Sequence, residues 1–296
     1  GTKMYVTLEP CNHYGKTPPC TKIIIKSGIS EVYYALDDID KKVKGKTFKI
    51  LSKSKIKVKR GLLKQEAREL YDSYKINRIK NLPYVTGKIA ISKNKLIYSQ
   101  GTKKITDKTS NTLAHFLRYK NDAIMISSKT NNIDNPRLDC RIKGYENFSP
   151  KRIILDKELD IKLNTFIYKT VKKNNTILFH NSTNNSKIRI LKKKGITLIK
   201  SKVDKNKLFV LKIILKKLYI LGIRNLLVEG GDKITKNFLE RGLFNQFYLF
   251  RSPKKIPIKK NHLSFTSMTL LLGKKNHTKS KATYKLAKDT ISIYKR

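Results

Sequence analysis

Acidic side chains are scarce in this 296-residue chain: 21 Asp and Glu stand against 67 Lys and Arg, a net charge of +46. Cysteine is scarcer still, with three in all. So low and odd a count excludes a disulfide-stapled secreted scaffold and points to reducing surroundings, the cytoplasm. No apolar run approaches the ~18 residues of a membrane span. The longest, LFVLKIILKKLYIL (208–221), carries three lysines and reads as an amphipathic, largely buried helix. The basic excess would suit a polyanion, yet the lysines are spread through strands, helices and loops instead of gathering on one face. Nucleic acid and membrane are therefore not expected partners, whereas attraction to a small phosphorylated substrate is.

The length suits two domains. KMYVTL reads as a strand, CTKIIIKSG as a helix closed by Gly28, EVYYAL (31–36) as a second strand and DDIDKKVKG as a loop. Apolar residues at helical spacing over 61–79 carry the chain to Pro83, which sets the boundary between domains 1–80 and 81–296. Beyond it, strands YVTGKIAIS, DAIMISS, KRIILD, TILFH and RNLLVE alternate with helices, one of them capped by Thr106 or Asp107. Alternating strands and helices predict an α/β sheet covered on both faces, with ligands at the carboxyl ends of its strands. Gly1 opens the chain and Met4 falls inside the apolar run MYVTL, so an N-terminally truncated fragment is expected.

Three stretches could carry chemistry. TLEPCNHYGKTPPC (7–20) spends two of the three cysteines on one loop. Cysteines at a strand end and a helix start suit a zinc site, because a positive helix end favours the thiolate; two structural cysteines are the alternative. NLLVEGGDKITKNFLERG places a Gly-Gly turn between a buried strand and a helix, which makes either a phosphate cradle or an ordinary tight connection. It lacks the three-glycine dinucleotide fingerprint. SSKTNNIDNPRLDCR (127–141) offers a carboxylate and a guanidinium around an Asp-x-Pro turn, and Arg is the natural fork for a phosphate. A surface turn with an incidental ion pair is the alternative.

YVTLEPCNHYGKTPPC resembles the zinc-binding segment of the bifunctional riboflavin-biosynthesis deaminase/reductase family, and the likeness runs on over nearly the whole chain. It implies a truncated cytidine-deaminase-like α/β/α domain followed by a dihydrofolate-reductase-like α/β domain. The implied reaction is NADPH-dependent reduction of 5-amino-6-(5-phosphoribosylamino)uracil to its ribitylamino product, preceded in the full-length enzyme by zinc-dependent deamination. By that resemblance Cys11 and Cys20 are two of three zinc ligands. The third ligand and a catalytic Glu belong to a His-Ala-Glu motif that does not occur in this chain, and His13 reads as a loop or substrate contact. Ala90, Thr130, Asp134 and the run Gly231, Asp232, Lys233, Ile234, Thr235, Lys236 and Asn237 correspond to NADPH contacts. Thr102, Arg118, Leu138, Arg141 and Glu229 correspond to substrate contacts, and Lys88 and Ser92 match the first reductase strand. The chain departs from the pattern at Lys95, where a turn glycine is expected, and at Asn135 and Asp139. It departs again at Lys104, where a tryptophan is expected in a sequence that has none.

A homo-oligomer is compatible with this reading. Two other readings are a nucleic-acid base deaminase with a binding extension and a non-catalytic zinc-binding module. The nine-position step from Cys11 to Cys20 and the long second domain favour the reductase over both.

Overall fold

A computed structural model describes residues 1–102, 104–172, 175–273 and 279–296, and the chain divides into two compact units, Gly1–Asn81 and Leu82–Arg296. Among the described residues no helix is long and apolar enough to cross a membrane.

The first unit runs β1 (Lys3–Leu8), α1 (Cys20–Lys26), β2 (Glu31–Leu36), α2 (Lys46–Lys53), β3 (Lys57–Arg60), α3 (Lys64–Leu70) and α4 (Asp72–Lys80). Its three strands are parallel in the order β1-β2-β3. Ile24, Val32, Tyr34, Leu51 and Ile56 form its small core. The buried Glu9 carboxylate accepts the backbone N–H groups of Asp38, Gly45 and Thr47 at 3.0–3.2 Å, which fixes the loop after β2. Two features differ from the sequence reading. The stretch after DDIDKKVKG is helical as α2, and the helix expected over 61–79 is broken at Tyr71.

The second unit opens with β4 (Tyr84–Ile91), β5 (Leu96–Ser99), α5 (Lys108–Tyr119), β6 (Ala123–Ser127) and α6 (Ser128–Asp134). It continues through β7 (Lys151–Leu155), α7 (Phe166–Lys169), β8 (Thr176–His180), α8 (Asn185–Lys193), β9 (Thr197–Lys200) and α9 (Leu211–Ile220). It ends with β10 (Asn225–Glu229), α10 (Asp232–Glu240), β11 (Gln246–Arg251), β12 (His262–Ser264), α11 (Met268–Leu272), β13 (Lys279–Leu286) and β14 (Asp289–Lys295). Among the described residues nine of these strands form one sheet, β13-β14-β11-β4-β10-β6-β7-β8-β9. The seven from β11 to β9 run parallel, while β14 and β13 add antiparallel at one edge. A separate ribbon pairs β12 with β5.

The run 123–126 of β6 is apolar because both faces of the sheet are covered. Ala123 and Met125 of β6 point into a core shared with Ile214, Leu218, Ile234 and Phe238, whereas Ile124 and Ile126 join Ala114, Leu117 and Leu191 in the other. Each such side chain contributes roughly 1.5–3 kcal/mol by leaving water. Helix α5 starts at Asp107, whose carboxylate accepts the Ser110 N–H at 2.8 Å; Asp107, not Thr106, is therefore its cap.

Strand order sets the place for a ligand. After β4 the chain builds β6 to β9 outward, then returns to insert β10 between β4 and β6. Such a reversal opens a crevice at the carboxyl ends of the strands involved.

Candidate active site

A cavity of about 940 Å³ lies at that reversal, a size suited to a cofactor together with a small substrate. Its floor comes from β4 and β10. The parallel register sets Glu229, the last residue of β10, beside Lys88 of β4. From α5, Arg118 reaches the same carboxylate: its Nε donates to Oε1 at 3.1 Å and its Nη2 to Oε2 at 2.8 Å. Burial by itself would raise the Glu229 carboxyl, but Arg118 and then Lys88 outweigh it, so the group stays ionised well below the usual carboxylate range. Lys88 is lowered, chiefly by burial and further by Arg118, with Glu229 acting the other way. Its Nζ lies 5.0 Å from the centre of the Phe250 ring. Two cations and one anion thus share a poorly hydrated corner.

One wall is the turn Gly230-Gly231 and the first turn of α10. A Cβ on Gly230 would stand 2.1 Å from Ile234 Cγ2, so the glycine permits the close strand-to-helix approach. A Cβ on Gly231 would meet nothing nearer than Ile97 Cδ1 at 3.9 Å, so this backbone faces open cavity. The helix N-terminus there presents free N–H groups of the kind that hold phosphates.

Of the residues singled out in the sequence, Ala90, Thr102, Arg118, Thr130, Asp134, Leu138 and Glu229 line this cavity. So do Gly231, Asp232, Lys233 and Ile234. Asp232 is there in a different capacity from the one expected: its carboxylate accepts the Thr266 and Ser267 N–H groups at 3.0 Å and both hydroxyls. It ties down the segment after β12, whose Leu263 and Ser264 also line the cavity.

Four of the expected cofactor and substrate contacts do not line the cavity. Thr235 is buried, Lys236 pairs with Glu240 at 3.9 Å and Asn237 accepts from Arg241, because α10 turns these positions away after its first turn. Arg141 is half-exposed, with Nη1 on Asp139 Oδ1 at 2.7 Å. The second Asp139 oxygen holds Arg137 Nε at 2.9 Å.

Protein packed around Asp134 pushes its carboxyl up to about 6, although its outer side meets solvent. Lys88 is the functional side chain to which the sequence reading gave no role. Its signal was a lone charge inside the otherwise uncharged strand YVTGKIAI. Lys104 and Lys129 add further positive charge to the lining.

In the first unit, the Cys20 N–H points to Cys11 Sγ at 3.4 Å. For Cys20 the expectation that a helix end would favour the thiolate is corrected here. Partial burial, then the contact with Cys11, pushes the Cys20 thiol above its ordinary value, and α1 has only seven residues. His13 Nδ1 is buried without a hydrogen-bond partner. Among the described residues no three His, Cys, Asp or Glu side chains group to hold a metal. The residues present do not fit a catalytic zinc ion.

Residues 83–263 match the model of the RibD C-terminal domain. The riboflavin biosynthesis protein RibD of Aquifex aeolicus is 38% identical over 256 residues, covering 86% of this chain and 70% of that protein. The RibD of Bacillus amyloliquefaciens is 34% identical over 256 residues, covering 86% of this chain and 68% of that protein. Among solved structures, the Thermotoga maritima diaminohydroxyphosphoribosylaminopyrimidine deaminase/5-amino-6-(5-phosphoribosylamino)uracil reductase superposes with a TM-score of 0.78. It is 27% identical, and the match covers 98% of this chain and 78% of that one. Acinetobacter baumannii RibD gives a TM-score of 0.79 at 23% identity over 98% of this chain and 80% of its own, a likeness of fold. With a cavity at the strand reversal and these relatives spanning most of the sequence, the chain belongs to the RibD family of riboflavin-biosynthesis reductases.

Proposed function

We propose that the second unit reduces the ribosyl carbon of 5-amino-6-(5-phosphoribosylamino)uracil with NADPH. The observation that carries this reading is the Arg118–Glu229–Lys88 cluster opening into the same cavity as the Gly230-Gly231 cradle. The cradle fits a phosphate-bearing cofactor, since Gly231 leaves the space and the first turn of α10 the N–H donors. When bound, NADPH supplies the hydride. Ala90, Thr130, Asp134 and the stretch Gly231 to Ile234 would hold it, Asp232 through its grip on the neighbouring wall.

The chain's own residues do three things. Glu229, fixed in position by Arg118, accepts hydrogen bonds from the substrate, with Thr102 and Leu138 beside it. Orientation of this kind is the larger part of the task, because donor and acceptor carbons must be held at reacting distance. Arg141 approaches the substrate phosphate from the rim by exchanging Asp139 for the phosphate. Lys88 moves a proton. Addition of hydride at C1′ breaks the C1′–O4′ bond, and the released oxygen must be protonated to become the ribityl hydroxyl. The Lys88 ammonium, made a readier acid by burial, delivers that proton from Nζ.

Gly1–Asn81 is, on this proposal, the cysteine-bearing part of a cytidine-deaminase-like domain (1–80), and 81–296 is the dihydrofolate-reductase-like domain. No deamination step is assigned to the first, since among the described residues no third His, Cys, Asp or Glu side chain groups with Cys11 and Cys20.

The test is Lys88→Met. Steady-state NADPH oxidation with the phosphoribosylaminouracil should lose about 10²–10⁴ in kcat, the usual worth of a general acid. The KM for NADPH should stay within about twofold. An unchanged kcat would remove Lys88 from the chemistry, and no oxidation by the unaltered protein would remove the reductase reading.

A further inference from the structure

The segment that follows α6 and carries Leu138 and Arg141 is strained. Asn135 and Leu138 both take left-handed backbone angles, at φ 43° and φ 56°. Such residues persist only where the surroundings over-determine them. Part of that constraint is visible: Asn135 Oδ1 accepts the Phe166 N–H at 2.6 Å, and Leu138 is buried. The rest comes from α5. Arg118 Nη1 donates to the Asp139 carbonyl at 3.2 Å, and one turn earlier His115 Nδ1 lies 3.1 Å from the same oxygen. The same ring nitrogen lies 3.2 Å from the Arg141 N–H.

A neutral imidazole nitrogen either donates or accepts. With its proton on Nδ1, His115 donates to the Asp139 carbonyl; with its proton on Nε2, it accepts from the Arg141 N–H. Both tautomers grip one three-residue stretch. We infer that His115 is a positioning residue, which sets the 138–141 segment against the cavity so that Leu138 and Arg141 meet the phosphorylated end of the substrate. The inference rests on the proposed reductase reading of that cavity.

A charged imidazole can only donate, so it releases the Arg141 N–H. The groups facing His115 are Arg118 on its own helix, Glu229 of β10, and Asp139 and Arg141 of the segment. Burial, then Arg118 and Arg141, lowers the ring below its ordinary value, against the opposing pull of Asp139. The neutral form therefore prevails at neutral pH; acidification below the ordinary histidine range removes the acceptor for the Arg141 N–H and leaves only the donation to the Asp139 carbonyl.

Two variants and two readouts test this. His115→Phe keeps the shape and loses both contacts. His115→Asn keeps an amide atom where Nδ1 stood. In His115→Phe, hydrogen exchange of the Arg141 amide should speed up about tenfold, the size of one lost hydrogen bond, while amides of β6 and β8 keep their protection. The substrate KM should rise by about the same factor with kcat within twofold, and His115→Asn should restore both. The KM of the unaltered protein should rise on acidification below the ordinary histidine range, and that of His115→Asn should stay level. Unchanged exchange and unchanged KM in His115→Phe would overturn the inference. Faster exchange in His115→Phe, in a protein that oxidises no NADPH, would uphold the grip on the segment and sink the reductase reading alone.

Discussion

The Arg118 guanidinium closes on the Glu229 carboxylate as a two-point fork across 111 residues of sequence, at 3.1 and 2.8 Å, with side chains only 13% and 12% exposed. A pair this deep is held in place by mutual need, because Arg118 alone would be a buried charge without its counter-ion and Glu229 alone would have only Lys88. Arg118→Ala should therefore cost about 3–5 kcal/mol of stability. The double change Arg118→Met with Glu229→Leu should recover only part of that loss, because it leaves the buried Lys88 without its anion, while abolishing substrate binding. Urea unfolding followed by circular dichroism reports the difference, since the chain has no tryptophan to follow. A loss under about 1 kcal/mol for Arg118→Ala would place the fork among surface ion pairs.

That pair shows what a sequence can carry and where it stops. Strands such as AIMIS and NLLVE are legible because a parallel strand covered on both faces must be apolar all along. Glu229 at the end of one, followed by two glycines, marks the ligand end of the sheet. Its partner is invisible to spacing and was singled out only by the family resemblance: Arg118 sits late in an amphipathic helix, where a solvated arginine is the ordinary occupant. Helix α2 escaped because it starts at Gly45 with no side-chain cap, so the usual start signal is missing. The unbroken reading of 61–79 failed for the opposite reason, since the apolar spacing runs on through the break at Tyr71. Asp139 was visible as a departure from the family pattern. That it captures Arg137 and Arg141 from two positions away on either side depends on the local bend of the chain, which spacing does not encode.

Gly230 and Gly231 are adjacent and do different work, which makes them separable. Gly230→Ala drives a methyl group into Ile234, itself buried, and should lower the melting temperature by several degrees. Gly231→Ala makes only ordinary contacts, with Ile97 Cδ1 at 3.9 Å and Thr130 Oγ1 at 4.0 Å, and has an extended backbone that any residue adopts, so stability should hold. Its methyl group instead fills the cavity floor, and the KM for NADPH should rise about tenfold, a loss of ~1.4 kcal/mol. If Gly231→Ala left that KM unchanged, the cradle would be an ordinary tight connection.

Lys95 closes the turn between β4 and β5 at φ 59°, donating its N–H to the Ser92 carbonyl at 2.9 Å. A left-handed lysine costs about 1–2 kcal/mol, partly balanced by the extra freedom that glycine loses on folding. Lys95→Gly should thus stabilise the protein by about 0.5–1 kcal/mol. Because Lys95 does not line the cavity, kcat and both KM values should stay put. Thermal unfolding with and without the change decides it, and a lower melting temperature would show that the lysine side chain is an anchor in its own right.

Asp134 gives the cavity a pH dependence of its own. Burial pushes its carboxyl up to about 6, so it is neutral below that pH and ionised above it. The sign for stability follows: a carboxyl raised in the folded state favours folding while protonated, and that contribution is lost as pH rises through about 6. Ligand binding runs the other way. An ionised carboxylate accepts hydroxyl hydrogen bonds more strongly than a carboxylic acid does, so the KM for NADPH should fall as pH rises from about 5 to 7. Asp134→Asn cannot ionise and should give a level NADPH profile at a raised KM, with any dependence of the substrate KM on acidification unchanged. Measuring the two Michaelis constants separately across this range keeps the groups apart, because His115 acts on the segment that meets the substrate and Asp134 on the cofactor side. An NADPH profile that keeps its slope in Asp134→Asn would assign the titration elsewhere and take Asp134 out of the cofactor site.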